Sequence, residues 1–108
     1  MRWEIVQYDG YVGIRSLHHN EWLYAGVPKR EENERHALIW RGAGDPESDE
    51  DMRWTIEDFG AYSGIKSVLH GEWLYAGGAN HSDSRKYCFT YGLEGTPATD
   101  PDMRWIIM

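Results

Sequence analysis

The chain reads as an all-β protein built from two tandem four-stranded repeats, and three observations lead there. The word HNEWLYAG at residues 19–26 returns as HGEWLYAG at residues 70–77. A shift of 51 residues aligns MRWEI (1–5) with MRWTI (52–56) and YVGIRSLHHNEWLYAG (11–26) with YSGIKSVLHGEWLYAG (62–77) without a gap. The same shift applied again puts MRWII at residues 103–107, so this strand-like motif occurs three times while everything between occurs twice. Within each unit the apolar residues follow a period of two, and no stretch of useful length carries a helical period. The pattern predicts a single domain over residues 1–108, with repeat 1 at 1–51, repeat 2 at 52–102 and an extra closing strand at 103–108.

Taken in order, the first unit offers strands at about 2–8, 11–17, 22–26 and 36–41. Trp3 and Ile5 share one face of the first, and Val12 and Ile14 share one face of the second. The turn signals YDG, HHN and GAGD separate them. The second unit repeats the scheme at 53–59, 62–68, 73–77 and 87–91, and 103–107 closes the chain. Segments 28–35 and 79–86, with 43–51 and 94–102, are polar and differ between units, so they read as surface loops. Gly44/Gly95, Pro46/Pro97, Asp49/Asp100 and Asp51/Asp102 stay in register within them, which points to one turn geometry used twice. Trp3, Trp54 and Trp105, with Ile5, Ile56 and Ile107, are expected in the core. Arg2, Arg53 and Arg104 alternate outward and are expected to pair with carboxylates such as Asp51 or Asp102. Cys88 occupies the place of Ala37 and is expected to be a small buried side chain.

Gly13-Ile14-Arg15-Ser16, the run His19-Asn20-Glu21-Trp22-Leu23-Tyr24-Ala25, and Trp54-Thr55-Ile56, each with its copy 51 residues on, resemble one lobe of a β-trefoil. Such lobes are found in ricin-type lectins, in fascin and hisactophilin, and in the trefoil half of insect low-molecular-mass haemolymph lipoproteins. The resemblance implies a β-trefoil-like fold. A trefoil closes its barrel with three lobes, and this chain supplies two and a strand. Completion by oligomerisation or by strand swapping is therefore expected, with a homo-oligomer as the outcome, because open strand edges need a cover. Four strands in roughly 50 residues fits the blades of a propeller as well. The Gln-x-Trp signature of ricin-type lobes is missing: Met-Arg precedes Trp3, Trp54 and Trp105, so a galactose site does not carry over.

Composition narrows the partners. Eleven Lys and Arg against eighteen Asp and Glu give a formal net charge of −7, which leaves no basic surface to release counterions from nucleic acid or to meet an anionic membrane. No apolar run approaches the roughly 20 residues a membrane-spanning helix needs. A single cysteine cannot form an internal disulfide, and no basic-then-apolar leader precedes the run WEIV; a cytoplasmic, reducing location is expected. Neither a Gly-rich phosphate loop nor a nucleophile elbow occurs, and the five histidines (His18, His19, His36, His70, His81) lack the spacing of a zinc site. The expectation is a non-enzymatic protein with no cofactor and no metal.

Candidate binding residues lie in the repeated word. Strand alternation puts Trp22 and Tyr24 on one face and Glu21, Leu23 and Ala25 on the other. With Leu23 and Ala25 inward, Trp22, Tyr24, Trp73 and Tyr75 turn toward solvent or a partner. There an aromatic ring with a polar tip suits the apolar face of a sugar. His19, Asn20 and Glu21, with His70 and Glu72, are placed to meet hydroxyls. The expected function is multivalent, lectin-like carbohydrate binding through equivalent surfaces on both repeats, with glycans or glycoproteins as partners. The alternative is a protein–protein or cytoskeletal interaction module whose aromatics lie in an interface. A carrier of apolar ligands is a third reading. Glu21 and Glu72 also have a plainer role, bonding the amides of the turn.

Overall fold

The computed structural model describes residues 3–17, 19–31, 34–40, 44–80, 86–91 and 95–107. Each unit contributes four strands: β1 (Trp3–Gln7), β2 (Val12–Ser16), β3 (Glu21–Glu31) and β4 (Glu34–Trp40), then β5 (Trp54–Asp58), β6 (Ser63–Ser67), β7 (Trp73–Asn80) and β8 (Lys86–Tyr91). They form an open antiparallel sheet in the order β1-β2-β3-β4-β8-β7-β6-β5, so the chain is all-β. The period-two pattern explains the first hairpin of each unit. Ile5 lies across from Ile14, and Ile56 across from Ile65, which puts the apolar side chains of paired strands on one face.

Two turns show why the repeated word begins as it does. Asn20 has φ 57° and Gly71 has φ 66°, left-handed values at equivalent positions. The amide of Asn20 donates to the Ser16 carbonyl at 2.7 Å and that of Gly71 to the Ser67 carbonyl at 2.9 Å. Asn and Gly are the residues that tolerate this conformation best, so the one difference between HNEW and HGEW preserves the backbone.

The β3–β4 hairpin is longer than the pattern predicts. Its register runs Trp22↔Trp40, Leu23↔Ile39, Tyr24↔Leu38 and Ala25↔Ala37, then shifts before resuming at Lys29↔Arg35 and Glu31↔Glu34. The segment expected as a loop at 28–35 thus continues the ladder. The register shifts between Ala25 and Lys29, a span that holds Pro28 with no N–H to offer, and again between Lys29 and Glu31, and these irregularities let the polar residues pair. In the second unit β7 runs to Asn80, paired with Lys86, and residues 81–85 lie outside the described residues.

Among the described residues, strand pairing joins the units at two places. Residues Glu34–His36 of β4 pair with Phe89–Tyr91 of β8, and Val12 of β2 pairs with Trp54 of β5. Trp54 is fully buried in a core with Val12, Ile14, Ala25, Ile65 and Leu74. Its Nε1–H donates to the Leu23 carbonyl of the preceding unit at 3.1 Å, and the Trp105 Nε1–H donates to the Leu74 carbonyl at 3.0 Å. The tryptophans of the second and third motifs therefore bond into the unit before them.

That arrangement corrects the expected core. Trp3 is 41% exposed and Ile107 is 39% exposed, and among the described residues neither is buried as Trp54 is. The expected strand at 103–107 is a 3-10 turn (Pro101–Met103) followed by one antiparallel bridge, Ser63↔Trp105. This bridge copies the Val12↔Trp54 contact and goes no further. Leu23 and Ala37 pack against the core and Ala25 lies within it, as the alternation requires. Among the described residues no helix is long and apolar enough to cross a membrane.

Candidate functional site

Glycine sets the position of the repeated tryptophan. A Cβ at Gly13 would stand 2.5 Å from Pro46 Cγ and 2.7 Å from Trp22 Cζ3, and at Gly64 it would stand 2.5 Å from Pro97 Cγ and 2.6 Å from Trp73 Cζ3. The six-membered ring of the indole thus abuts bare backbone, with a fully buried proline against the same glycine. Pro46 and Pro97 were visible only as residues in register. They are one wall of the tryptophan's seat.

Around each indole the chain assembles the same set of groups. In unit 1 the Tyr8 and Tyr11 rings stack at 5.1 Å and 11°, and Tyr8 meets Trp22 at 6.4 Å and 59°. In unit 2 Phe59 and Tyr62 stack at 5.6 Å and 12°, and Phe59 meets Trp73 edge-on at 6.0 Å. A cation lies by each indole: Arg15 Cζ is 5.2 Å from the Trp22 ring and Lys66 Nζ is 5.2 Å from the Trp73 ring. Cross-strand pairing enforces this, since Arg15 lies opposite Trp22 and Lys66 opposite Trp73.

A second cation closes the other side. Arg53 sits over Tyr11 at 4.7 Å and Arg104 over Tyr62 at 4.6 Å. Both were expected to pair with carboxylates, and both instead satisfy loop carbonyls. Arg53 donates to Pro46 O at 2.6 Å and Glu47 O at 2.7 Å, and Arg104 to Pro97 O at 2.7 Å and Ala98 O at 3.2 Å. A planar fork of donors suits two successive carbonyls better than one carboxylate does, and its face is left for the tyrosine. Arg2 lies outside the described residues.

The remaining candidates divide. His19 and Asn20 are exposed in the β2–β3 turn, and the His19 and His70 amides donate to Ser16 Oγ and Ser67 Oγ at 3.3 and 3.2 Å. Ser16 and Ser67 are themselves buried. Glu72 accepts from the buried Thr90 hydroxyl at 2.8 Å, a bond that supports the hairpin. Glu21 is half-buried across from Ser16. Tyr24 and Tyr75 are half-buried, on the same parity as Trp22 and Trp73. The half-buried rings of the cluster are Tyr8, Tyr11 and Trp22, then Phe59, Tyr62 and Trp73. Sequence reasoning passed over four of these. The available signal was the aromatic pair flanking each β1–β2 turn, YDGY at 8–11 and FGAY at 59–62.

Electrostatics differ between the copies. Burial raises the Tyr8 phenol above its usual pKa, and the negative charges of Asp45 and Glu47 raise it further. Burial also raises the Asp51 carboxyl, helped by Asp49 and opposed by its own backbone hydrogen bond and by His70. Among the described residues no three His, Cys, Asp or Glu side chains gather as a metal site would require. His18, His81 and the side chains of His36 and Cys88 lie outside what is described. What each cluster offers is a half-buried aromatic set with one cation over its indole and another over its tyrosine. No protein-family model matches this chain, and no curated protein matches it.

Proposed function

We propose that the protein is a non-enzymatic, lectin-like binder of glycans or glycoproteins, holding one sugar-binding surface per repeat. The observation that carries the reading is the duplication of the whole cluster, Tyr8, Tyr11, Arg15, Trp22 and Arg53 against Phe59, Tyr62, Lys66, Trp73 and Arg104. Carbohydrate faces are apolar and their rims are hydroxyls. A half-buried aromatic step flanked by N–H donors offers both kinds of contact. Two weak sites on one rigid sheet gain avidity when a branched or surface-bound glycan engages both. The single cysteine suits a reducing, cytoplasmic setting, and the acidic surface disfavours nucleic acid and anionic membranes.

The same reading extends to assembly. We infer that the sheet is completed in a β-trefoil-like arrangement by a further copy of the chain, through oligomerisation or strand swapping. Trp54 and Trp105 each bury against a preceding unit, and Trp3 carries the same motif while standing exposed.

A glycan-array screen of the wild-type protein and of a Tyr8→Leu/Phe59→Leu variant tests the function. Leucine keeps most of the apolar volume and removes the ring, so the fold, checked by circular dichroism and native mass, is expected to persist. Selective binding by the wild type and its loss in the variant are the expected results. Binding to no glycan, or undiminished binding by the variant, overturns the reading and favours the aromatics as a protein-docking surface.

A further inference from the structure

The two clusters share their rings and have diverged in charge. In unit 1 Arg15 is ion-paired with Glu4, and Asp45 and Glu47 act on Tyr8. A shift of 51 residues replaces these three carboxylates by Thr55, Thr96 and Ala98. The register sets Thr55 opposite Lys66, where unit 1 has Glu4 opposite Arg15. One carboxylate is added on that face, since Val6 becomes Glu57 opposite Gly64. Asp58 is also new, but its carboxylate accepts from the Gly60 amide at 2.8 Å and belongs to the turn. Asp9 of unit 1, in the same turn, becomes Gly60. Arg53 and Arg104 are common to both. Unit 1 thus sets Glu4, Asp45 and Glu47 against two guanidiniums, whereas unit 2 sets Glu57 against Lys66 and Arg104.

Geometry sharpens the difference. The Arg15 guanidinium is ion-paired with Glu4, while Lys66 brings a compact ammonium on a flexible stem over the Trp73 ring, 5.2 Å from its centroid. An ammonium beside an aromatic face, with three unit 1 acids replaced by neutral side chains and only Glu57 added, favours an anionic substituent on a ring stacked there. We propose that the unit 2 cluster takes sugars bearing a carboxylate or a sulfate, and that the unit 1 cluster takes neutral sugars. One chain then joins two classes of glycan. This rests on the glycan-binding reading above.

The test restores unit 1 charges to unit 2. Thr96 and Ala98 are exposed, and unit 1 builds the same turn with Asp45 and Glu47, so a Thr96→Asp/Ala98→Glu variant keeps its fold. Wild type, this variant and Lys66→Gln are compared on the neutral, carboxylate-bearing and sulfated members of a glycan array, at low and high salt. The wild type is expected to bind neutral members and at least one anionic class. Both variants are expected to weaken anionic binding by about tenfold, the scale of a charge pair in a partly solvated site, and the Thr96→Asp/Ala98→Glu variant is expected to leave neutral binding unchanged. The anionic component is also expected to fall with salt. Whether the carboxylate or the sulfate arm responds identifies the substituent, and either response supports the proposal. Binding of neutral members alone, or anionic binding indifferent to both variants, overturns this inference and leaves the glycan-binding function standing. Absence of all glycan binding removes both.

Discussion

A glycine under an indole is the residue-scale feature on which each cluster rests. Any side chain at Gly64 drives into the Trp73 ring and the Pro97 ring, neither of which is a flexible chain end. Gly64→Ala is therefore expected to destabilise by about 1–3 kcal/mol, the range for overpacking, with Gly13→Ala behaving alike. Urea unfolding measures it, and an unchanged midpoint would show that the indole is free to lift. Asp51 makes a second prediction. Burial and Asp49 raise its carboxyl, so the folded chain holds the neutral form more readily than the unfolded chain does. The charged form costs stability above the raised pKa, and that cost vanishes once pH falls below the ordinary value of about 3.9. Asp51→Asn is expected to raise Tm at neutral pH, with the gain closing as pH falls toward that value. Melting curves across that range check it, and a variant less stable at neutral pH would mean that the His70 contact outweighs the burial.

At the scale of elements, strand identity was legible because period two and turn residues act locally. Six of the eight strands begin at or beside Trp3, Val12, Trp22, Trp54, Ser63 and Trp73, and Asn20 and Gly71 mark equivalent turns. Pairing was legible only in part. The β3–β4 ladder continues past Pro28 because the opposing strand carries it, and nothing in a polar segment shows that. The seat of Trp54 was hidden for a similar reason, since its indole bonds to a carbonyl 31 residues away. The site was legible to the extent that Trp22 and Trp73 were singled out. Tyr8, Tyr11, Arg15 and Arg53 join Trp22 through pairing and loop contacts, and such neighbours do not show in linear order. Trp54→Phe tests the seat. It removes the donor to the Leu23 carbonyl and leaves a void at the junction of units, which together are expected to cost about 2–4 kcal/mol. Chemical denaturation measures the loss, and a change below about 1 kcal/mol would mean that the indole bond contributes no more than an average hydrogen bond.

For the whole molecule the question is what stands against Trp3. Three copies of the MRW motif share one sequence logic, yet they meet three fates: Trp54 fully buried between units, Trp105 half-buried on the second unit, and Trp3 exposed. A tryptophan left in water forfeits a large apolar area, and β1 and the residues after Trp105 both expose apolar side chains, with Ile106 at 72% exposure. The internal junction shows what such a surface fits. A second chain presenting its second unit to Trp3 repeats the contact that Trp54 makes within one chain, in competition with its own Trp105. That contact is head-to-tail, so it closes into a ring or extends, depending on the rotation between units. Trp3→Ser is expected to leave the secondary structure of each chain intact, since exposed substitutions are typically within about 0.5 kcal/mol, and to shift the assembly toward a single chain. Sedimentation velocity over a concentration series decides it. A wild-type protein that stays monomeric throughout, or a variant that assembles as the wild type does, would mean that Trp3 takes no part in joining copies.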